Sequence, residues 1–186
     1  MKIVSLEESY CYHIYNRGIN GCTIFDSNDD YDHFIRLFKK HLIPDISIMC
    51  FCLIGNHFHF IVRIKCIESK ASQILSNLFN AYAKYFNHRH DRTGSLFERP
   101  FKRKLILDEN YLKQLVLYVH TNPVKHKVCD KFQYYAYSSY SEILNNQRKF
   151  LPSKEIIELF GDKINFQQIH MNKKYYLKTL MDFEFY

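Results

Sequence analysis

The chain has 186 residues, of which 47% are hydrophobic and 24% charged, and it carries a formal net charge of +7. This composition is typical of a folded globular protein and excludes a disordered one, and the length suits one ordinary domain with at most a small appendage. No apolar run approaches the ~20 residues needed to span a bilayer, so we expect no integral membrane protein.

Charge and cysteine usage indicate a class of partner and a compartment. Lys and Arg number 26 against 19 Asp and Glu, an excess that favours a polyanionic partner, although it fits a basic protein without such a partner equally well. The six cysteines are scattered and form no CxxC pair. Because the chain also lacks a signal peptide, we expect reduced thiols and a cytoplasmic location.

The first two predicted elements are a strand and a helix. Residues 9–17, SYCYHIYNR, are rich in aromatic and β-branched types and predict a strand. Arg17 at its end suits a phosphate contact and a solvated loop position equally well. Ser27 and Asp30 have the spacing of a capping box, and apolar residues at helical spacing follow as far as Pro44.

The next stretch predicts a β-hairpin with a functional face. Residues 46–64, ISIMCFCLIGNHFHFIVRI, contain two apolar runs around a Gly-Asn turn. Side chains two apart on a strand share a face, so His57 and His59 point one way while Phe58 and Phe60 point into the core. Two imidazoles on one face can bind a divalent cation, but they also fit an ordinary pair of hydrogen-bonded strand histidines.

A second helix and a basic strand follow the hairpin. Apolar and aromatic residues at helical spacing over 75–86 predict the helix, and 97–107, FERPFKRKLIL, predicts a strand that starts at an edge or bulge because of Pro100. The cations of this strand are Arg99, Lys102, Arg103 and Lys104. Such a run forms a solvated face or follows a nucleic-acid backbone, and the sequence leaves both readings open.

A third helix carries two further candidate residues. Asp108 can cap it, and we expect it to end at Asn122 because Pro123 disfavours helical geometry in the preceding residue. Tyr118 and Asn122 are four residues apart and therefore lie on one face. The amide oxygen of Asn122 can complete a hard-ion site with the strand histidines, and the phenol lies one turn away.

The order of these elements predicts an α+β fold. Its first six elements match the ferredoxin-like split βαβ arrangement with an antiparallel sheet. We expect helices on one face of the sheet and the other face free for function. Residues 1–142 form the predicted domain, and 143–186 form a C-terminal helical extension, packed on it or forming a tail, with helical stretches at EIIELF and through YYLKTLM.

Three segments, taken in order, resemble one protein family. IGNHFHFIV resembles the His-hydrophobic-His signature of the HUH endonuclease superfamily, and YHIYNRG is similar to the opening of its single-tyrosine transposases. LYVHTNPVKHKV followed by YAYSSY resembles the tyrosine helix and downstream segment of the REP-associated tyrosine transposases. The resemblance covers roughly residues 10–142. The chain departs from the family pattern at Gly55, where proline is frequent, and it contains no tryptophan.

The resemblance implies an enzyme that cleaves and rejoins single-stranded or hairpin DNA through a 5'-phosphotyrosine link. Carried over by position, Tyr118 is the nucleophile, and His57, His59 and Asn122 are ligands of Mg²⁺ or Mn²⁺. A tyrosine has an ordinary pKa of ~10, so at neutral pH it is a poor nucleophile until its proton is removed. The implied partner is DNA, and no membrane association is expected. Both a homodimer and a monomer fit the family.

Two other functions remain compatible with these residues. A catalytically idle module would keep the fold and bind DNA hairpins, and a metal-dependent hydrolase would use activated water and form no covalent protein-DNA link. If the protein binds DNA, as a transposase or as a hairpin-binding module, we expect its basic residues to contribute affinity for the phosphate backbone. They are Arg17, Arg99, Lys102, Arg103 and Lys104.

Overall fold

The computed structural model of the chain describes residues 4–172. Its centre is a four-stranded sheet made of β1 (Cys11–Arg17), β2 (Ile46–Ile54), β3 (His57–Ile64) and β4 (Lys102–Ile106). The strand order is β2-β3-β1-β4, and every neighbouring pair is antiparallel. This order is that of the split βαβ arrangement, so the predicted α+β, ferredoxin-like fold is confirmed.

Six α-helices of the described part of the chain surround the sheet. They are α1 (Asn28–Leu37), α2 (Glu68–Arg89), α3 (Glu109–Lys125), α4 (Tyr140–Leu144), α5 (Ser153–Leu159) and α6 (Lys163–Met171). A π-helical turn over Phe38–Leu42 prolongs α1. Asp30 accepts a hydrogen bond from the backbone N–H of Ser27 at 2.9 Å, as expected for the predicted capping box. Within residues 4–172, the helices are too short or too polar to cross a membrane.

One face of the sheet packs against α1 and α2 through aromatic rings. Phe58 and Phe60 of β3 stack at a centroid distance of 4.7 Å, and Phe58 lies 5.4 Å from both Phe34 of α1 and Phe79 of α2. All four rings are buried. The alternating pattern of β3 therefore identified the core-facing residues correctly.

The opposite face is covered by α3, which corrects the expectation of a free face. Leu115, Val116 and Val119 of this helix are fully buried. These side chains form an apolar stripe along α3, which must be buried against another apolar surface. The second face of the sheet provides that surface. The candidate site consequently lies in an interior layer rather than on an open sheet.

Two predicted boundaries are wrong near prolines. α3 continues through Pro123 to Lys125, where we expected an end at Asn122. The proline lacks an N–H and so removes one bond of the last turn, but the N–H of His126 still bonds to the carbonyl of Asn122 at 3.0 Å. Burial of this turn outweighs the local preference. The strand expected over 97–107 is confined to Lys102–Ile106, because Pro100 cannot join the ladder.

The C-terminal part is only partly as predicted. The EIIELF stretch forms α5, whereas α6 was not predicted, although Asp162 caps it by accepting a hydrogen bond from the N–H of Asn165 at 2.7 Å. The predicted boundary after residue 142 falls within α4, and the division into a domain and an extension stays a prediction. The stretch YYLKTLM lies outside the described residues.

The hydroxyl of Tyr82 in α2 generates a prediction for stability. It donates a hydrogen bond to the carbonyl of Ile24 at 2.5 Å in the core. Tyr82→Phe keeps the ring but leaves this carbonyl unpaired, so the free energy of unfolding should fall by about 1–3 kcal/mol. Urea denaturation measures the loss. Tyr85→Phe on the same helix is the control, and an equal loss in both variants would contradict the assignment.

Candidate active site

The register between β1 and β3 places side chains of two strands beside each other. His59 faces Tyr15 across the ladder, and His57 faces Arg17. Directly opposed residues of an antiparallel pair project from the same face, so these four share the face that α3 covers. Both imidazoles are buried. The common face of the two histidines is the one that the strand periodicity predicts.

α3 adds the two other candidate residues. Asn122 Oδ1 lies 3.0 Å from His57 Nε2, and the ring of Tyr118 meets that of His59 edge to face at a centroid distance of 5.2 Å. Because four residues make about one helical turn, both side chains leave the helix on the side of the sheet. The structure therefore brings Tyr118, Asn122 and the two histidines together.

Both ring nitrogens of His57 lie beside the side-chain oxygen of an asparagine. Its Nδ1 lies 2.7 Å from Asn56 Oδ1, while Nε2 lies 3.0 Å from Asn122 Oδ1. Burial, followed by the charge of His126, lowers the pKa of His57 to about 4, so at neutral pH the ring carries one N–H. One oxygen therefore faces a lone pair. Among the described residues, no group bonds to the buried Nδ2 of Asn122. Turning the amide satisfies this atom, and a cation between Nε2 and Oδ1 satisfies the two acceptors.

The arrangement fits a divalent cation. When the proton of each imidazole is on Nδ1, His57 Nδ1–H donates to Asn56 Oδ1. His59 Nδ1–H then donates to His13 Nε2 at 3.0 Å. Both Nε2 atoms then present lone pairs, a pattern common around metal-bound histidines. His57 Nε2 and Asn122 Oδ1 lie 3.0 Å apart, and with His59 Nε2 they are the atoms that would hold the ion.

The protein contributes few ligands to such a site. Across residues 4–172, no three His, Cys, Asp or Glu side chains are grouped so that they could hold a metal ion. The candidate set of two imidazoles, from His57 and His59, and the Asn122 amide is therefore incomplete without water or phosphate oxygens. Mg²⁺ commonly retains several waters and takes oxygens from substrate phosphates, but its usual protein ligands are carboxylates rather than imidazoles.

Burial keeps the imidazoles neutral. It is the main cause that lowers the pKa of His13 to about 3 and holds the pKa of His59 well below its ordinary value. Nearby positive charge acts in the same direction, from Lys104 on His13 and from neighbouring imidazoles on His59. Metal binding requires neutral imidazoles, so these shifts favour binding at neutral pH.

Three residues of the site were missed from the sequence. His13 lies on the same face of β1 as Tyr15, so its alternation with Tyr15 was an available signal. Lys125 Nζ lies 5.1 Å from the ring centroid of Tyr118, and the ring of His126 lies 4.4 Å from that of His57. These two escaped notice because the predicted helix ended at Asn122, whereas a continued helix places Lys125 two turns beyond Tyr118.

The predicted basic residues are divided between the two faces. Lys102 pairs with Tyr15 of β1, and Lys104 pairs with His13. Both lysines therefore project from the same face as the histidines, as does Arg17. Arg103 points the other way, where its guanidinium lies 4.2 Å from the Phe101 ring centroid. The reason is strand alternation, which separates consecutive residues.

Arg99 lies outside β4. It is exposed in the irregular segment before the strand, where it borders a cavity of about 420 Å³ together with Arg103. The role of all five cations in DNA binding stays a prediction. Arg17 also contacts Glu98, with Nε 2.5 Å from Oε1.

A buried hydrogen-bond chain supports α3 from behind. His170 of α6 donates from Nδ1 to the carbonyl of Phe166 at 2.7 Å, which makes its Nε2 an acceptor for His120 Nδ1 at 2.9 Å. Nε2 of His120 then accepts from the hydroxyl of Ser139 at 2.9 Å. The Ser139 oxygen in turn accepts from the N–H of Phe51 in β2 at 2.9 Å. His120 lies midway between Tyr118 and Asn122, so α6 and β2 fix the part of α3 that carries both.

Comparison with solved structures shows what this architecture is similar to. A REP-associated tyrosine transposase bound to a REP hairpin superposes with a TM-score of 0.61, over 82% of this chain and 88% of that chain, at 15% sequence identity. A bacterial tRNA(His) guanylyltransferase-like protein in complex with GTP matches 71% of this chain and 73% of its own at 10% identity, with a TM-score of 0.45. No family model and no curated protein matches the sequence. The first likeness establishes a shared fold.

The hydrogen-bond chain predicts stability losses of different size for two substitutions of His170. His170→Leu leaves the buried Nδ1–H of His120 without an acceptor, so the free energy of unfolding should fall by about 1–3 kcal/mol beyond the packing change. His170→Gln offers an amide oxygen to the same N–H and should lose less. Urea denaturation at pH 7.5 compares them, and equal stability of the two variants would contradict the chain.

The buried histidines also predict how stability depends on pH. Burial lowers the pKa of His13 and of His170 to about 3, from 6.5. Between these pH values the unfolded chain binds protons that the folded chain does not, so the free energy of unfolding falls as pH drops below 6.5. Each such histidine contributes about 1.4 kcal/mol per pH unit. Denaturation at pH 7, 6, 5 and 4 measures the slope. His170→Gln should flatten it, and an unchanged slope would refute the contribution of His170.

Proposed function

We propose that the chain is a metal-dependent tyrosine transposase that cleaves and rejoins single-stranded or hairpin DNA. The observation that supports this most directly is the meeting of Tyr118 with His57, His59 and Asn122 in one buried cluster. The shared fold with a transposase bound to a hairpin agrees with the proposal. The resemblance of the sequence segments points to the same family.

In the proposed reaction, Tyr118 is the nucleophile. Its phenolic oxygen forms a bond to the scissile phosphorus, the bond to the 3'-oxygen breaks, and the phenolic proton is released while the 3'-oxygen gains a proton. The products are a 5'-phosphotyrosine link and a 3'-hydroxyl. Because the phosphodiester is kept as an ester of tyrosine, another 3'-hydroxyl can attack the link and rejoin DNA.

The surrounding residues would hold and stabilise the phosphate. His57, His59 and Asn122 are the residues that would bind Mg²⁺ or Mn²⁺, and the ion when bound supplies electrostatic stabilisation of the phosphate oxygens. Lys125 adds a positive charge beside the ring of Tyr118. In a buried site such charges act more strongly on a phosphate than they do in water.

The burial of Tyr118 favours a second candidate function. Only 2% of this residue is exposed, so DNA reaches the phenol only when the covering groups move. A hairpin-binding module without strand cleavage requires no such access. The two functions differ in one product, the covalent protein-DNA link.

We expect the purified protein to form a covalent adduct with a labelled, hairpin-containing single strand in the presence of Mn²⁺, visible on a denaturing gel. Tyr118→Phe should abolish the adduct because it removes the nucleophilic oxygen. Tyr111→Phe, two turns earlier on α3, is the matched control and should retain it.

Three outcomes would count against the tyrosine mechanism. An adduct in Tyr118→Phe would assign the nucleophile elsewhere. Cleavage without any adduct would support activated water, and binding without cleavage over several substrates and metals would support the hairpin-binding module.

The ligand set predicts stabilisation by metal alone. A cation that binds only the folded chain adds about 2.7 kcal/mol at a concentration 100 times its Kd, so Mn²⁺ should raise the melting temperature. His57→Gln and Asn122→Leu should reduce this increase, while His33→Gln on α1 should preserve it. An increase of equal size in all four proteins would show that Mn²⁺ binds elsewhere.

A further inference from the structure

A second basic surface lies at the end of the sheet away from the histidines. It is a groove of about 800 Å³ between the π-helical turn after α1, the start of β2 and the segment 147–150. Its cations are Lys39, Lys65, Arg148 and Lys149, and none of the carboxylates within residues 4–172 lines it. We call this surface the β2 groove. Its floor includes Ile43, Pro44 and Ile46.

The charge of the β2 groove is only partly neutralised. Arg148 Nε lies 2.5 Å from Oε1 of the buried Glu142. Within residues 4–172, the ion pairs do not include Lys39, Lys65 or Lys149. Three lysines that form no ion pair among the described residues lie around one concave surface, and they attract an anion because their mutual repulsion is relieved when it binds.

The aromatic ring in the β2 groove does not offer a stacking platform for a base. Lys39 Nζ lies 5.6 Å from the centroid of Phe150, and the Arg148 guanidinium lies 5.9 Å from it. The two cations lie over the ring of Phe150, where a base would have to stack. Proteins that bind single strands instead expose aromatic faces to successive bases. The groove therefore presents positive charge without base contacts, which suits a phosphate backbone.

The distance to the candidate active site indicates which part of a DNA molecule would reach the groove. Ile46 at the groove begins β2, and Cys52 on the same strand pairs with His59, which lies against Tyr118. These six steps along a strand span ~20 Å. Duplex DNA rises ~3.4 Å per base pair, so this is the length of about six base pairs. A duplex is stiff over such a distance and can connect the two sites.

We propose that the β2 groove binds the phosphate backbone of the duplex stem of a hairpin DNA, about six base pairs from the foot of the stem at Tyr118. The proposal rests on the function proposed above for the placement of the foot. The lysines add affinity that depends on stem length and on salt, and they leave the sequence of the stem unread.

The test is a binding series with hairpins whose stems have 4, 8 and 12 base pairs and share one single-stranded foot. The wild-type protein should bind the 12-base-pair hairpin roughly tenfold or more tightly than the 4-base-pair one, because backbone contacts are added. The triple variant Lys39→Gln, Lys65→Gln, Lys149→Gln should lose this gain. On the longest stem, the slope of log K against log salt should fall by up to about 2.7, or 0.9 per phosphate contact.

A matched triple variant controls for net charge. Lys131→Gln, Lys154→Gln and Lys163→Gln remove the same three charges from exposed positions away from the β2 groove, and this variant should keep the dependence on stem length. Thermal melting checks that both variants are folded. The proposal is overturned if the groove variant binds long stems as the wild type does, if it loses equal affinity for every stem, or if the control variant loses the gain equally.

The binding series also separates this proposal from the proposed transposase function. A gain with stem length that depends on the groove lysines supports the groove even if no adduct with Tyr118 forms. The opposite result is an adduct that forms equally in the wild type and the groove variant on 4-base-pair hairpins, with no increase in affinity on longer stems. That result supports the proposed transposase function and overturns the proposed role of the groove. Anionic vesicles or an acidic peptide that bind the wild type more tightly than the longest hairpin, and through the same lysines, would also overturn it.

Discussion

The packing of α3 against the histidine face of the sheet is the constraint on which the candidate site depends. Asn122 and His57 meet across this interface at 3.0 Å, and Tyr118 lies against His59 one turn away. Neither the strand nor the helix holds a complete site. The apolar stripe of α3 supplies the burial that keeps the two elements in contact, and polar groups are then brought together within that layer.

Burial gives this cluster its chemical character. The buried imidazoles are costly to protonate inside the protein, so they stay neutral and keep their lone pairs at neutral pH. The chain from His170 through His120 to Ser139 ties α3 to α6 and to the edge strand β2. C-terminal helix α6 is thereby linked to the residues beside Tyr118, which gives this part of the chain a positioning role.

The sheet separates two kinds of surface. Its histidine face holds the candidate site, and the strand alternation sends Arg103 to the opposite face while Lys102 and Lys104 remain on the first. The β2 groove lies at the other end of β2. A long polyanion can contact two such regions at once, because its charge is repeated along its length, whereas a small anion occupies only one.

Local pattern in the sequence determined the strands, most helices, the shared face of His57 and His59, and the spacing of Tyr118 and Asn122, since side-chain periodicity is set by backbone geometry. Motifs in order resemble those of one family, and the roles predicted for the candidate ligands rest on that resemblance. Only the tertiary structure decided that α3 covers the second face and extends past Pro123, and that His13 and Lys125 join the site. These features depend on contacts between residues far apart in the chain, and burial of such contacts overrides the local preferences that a sequence displays.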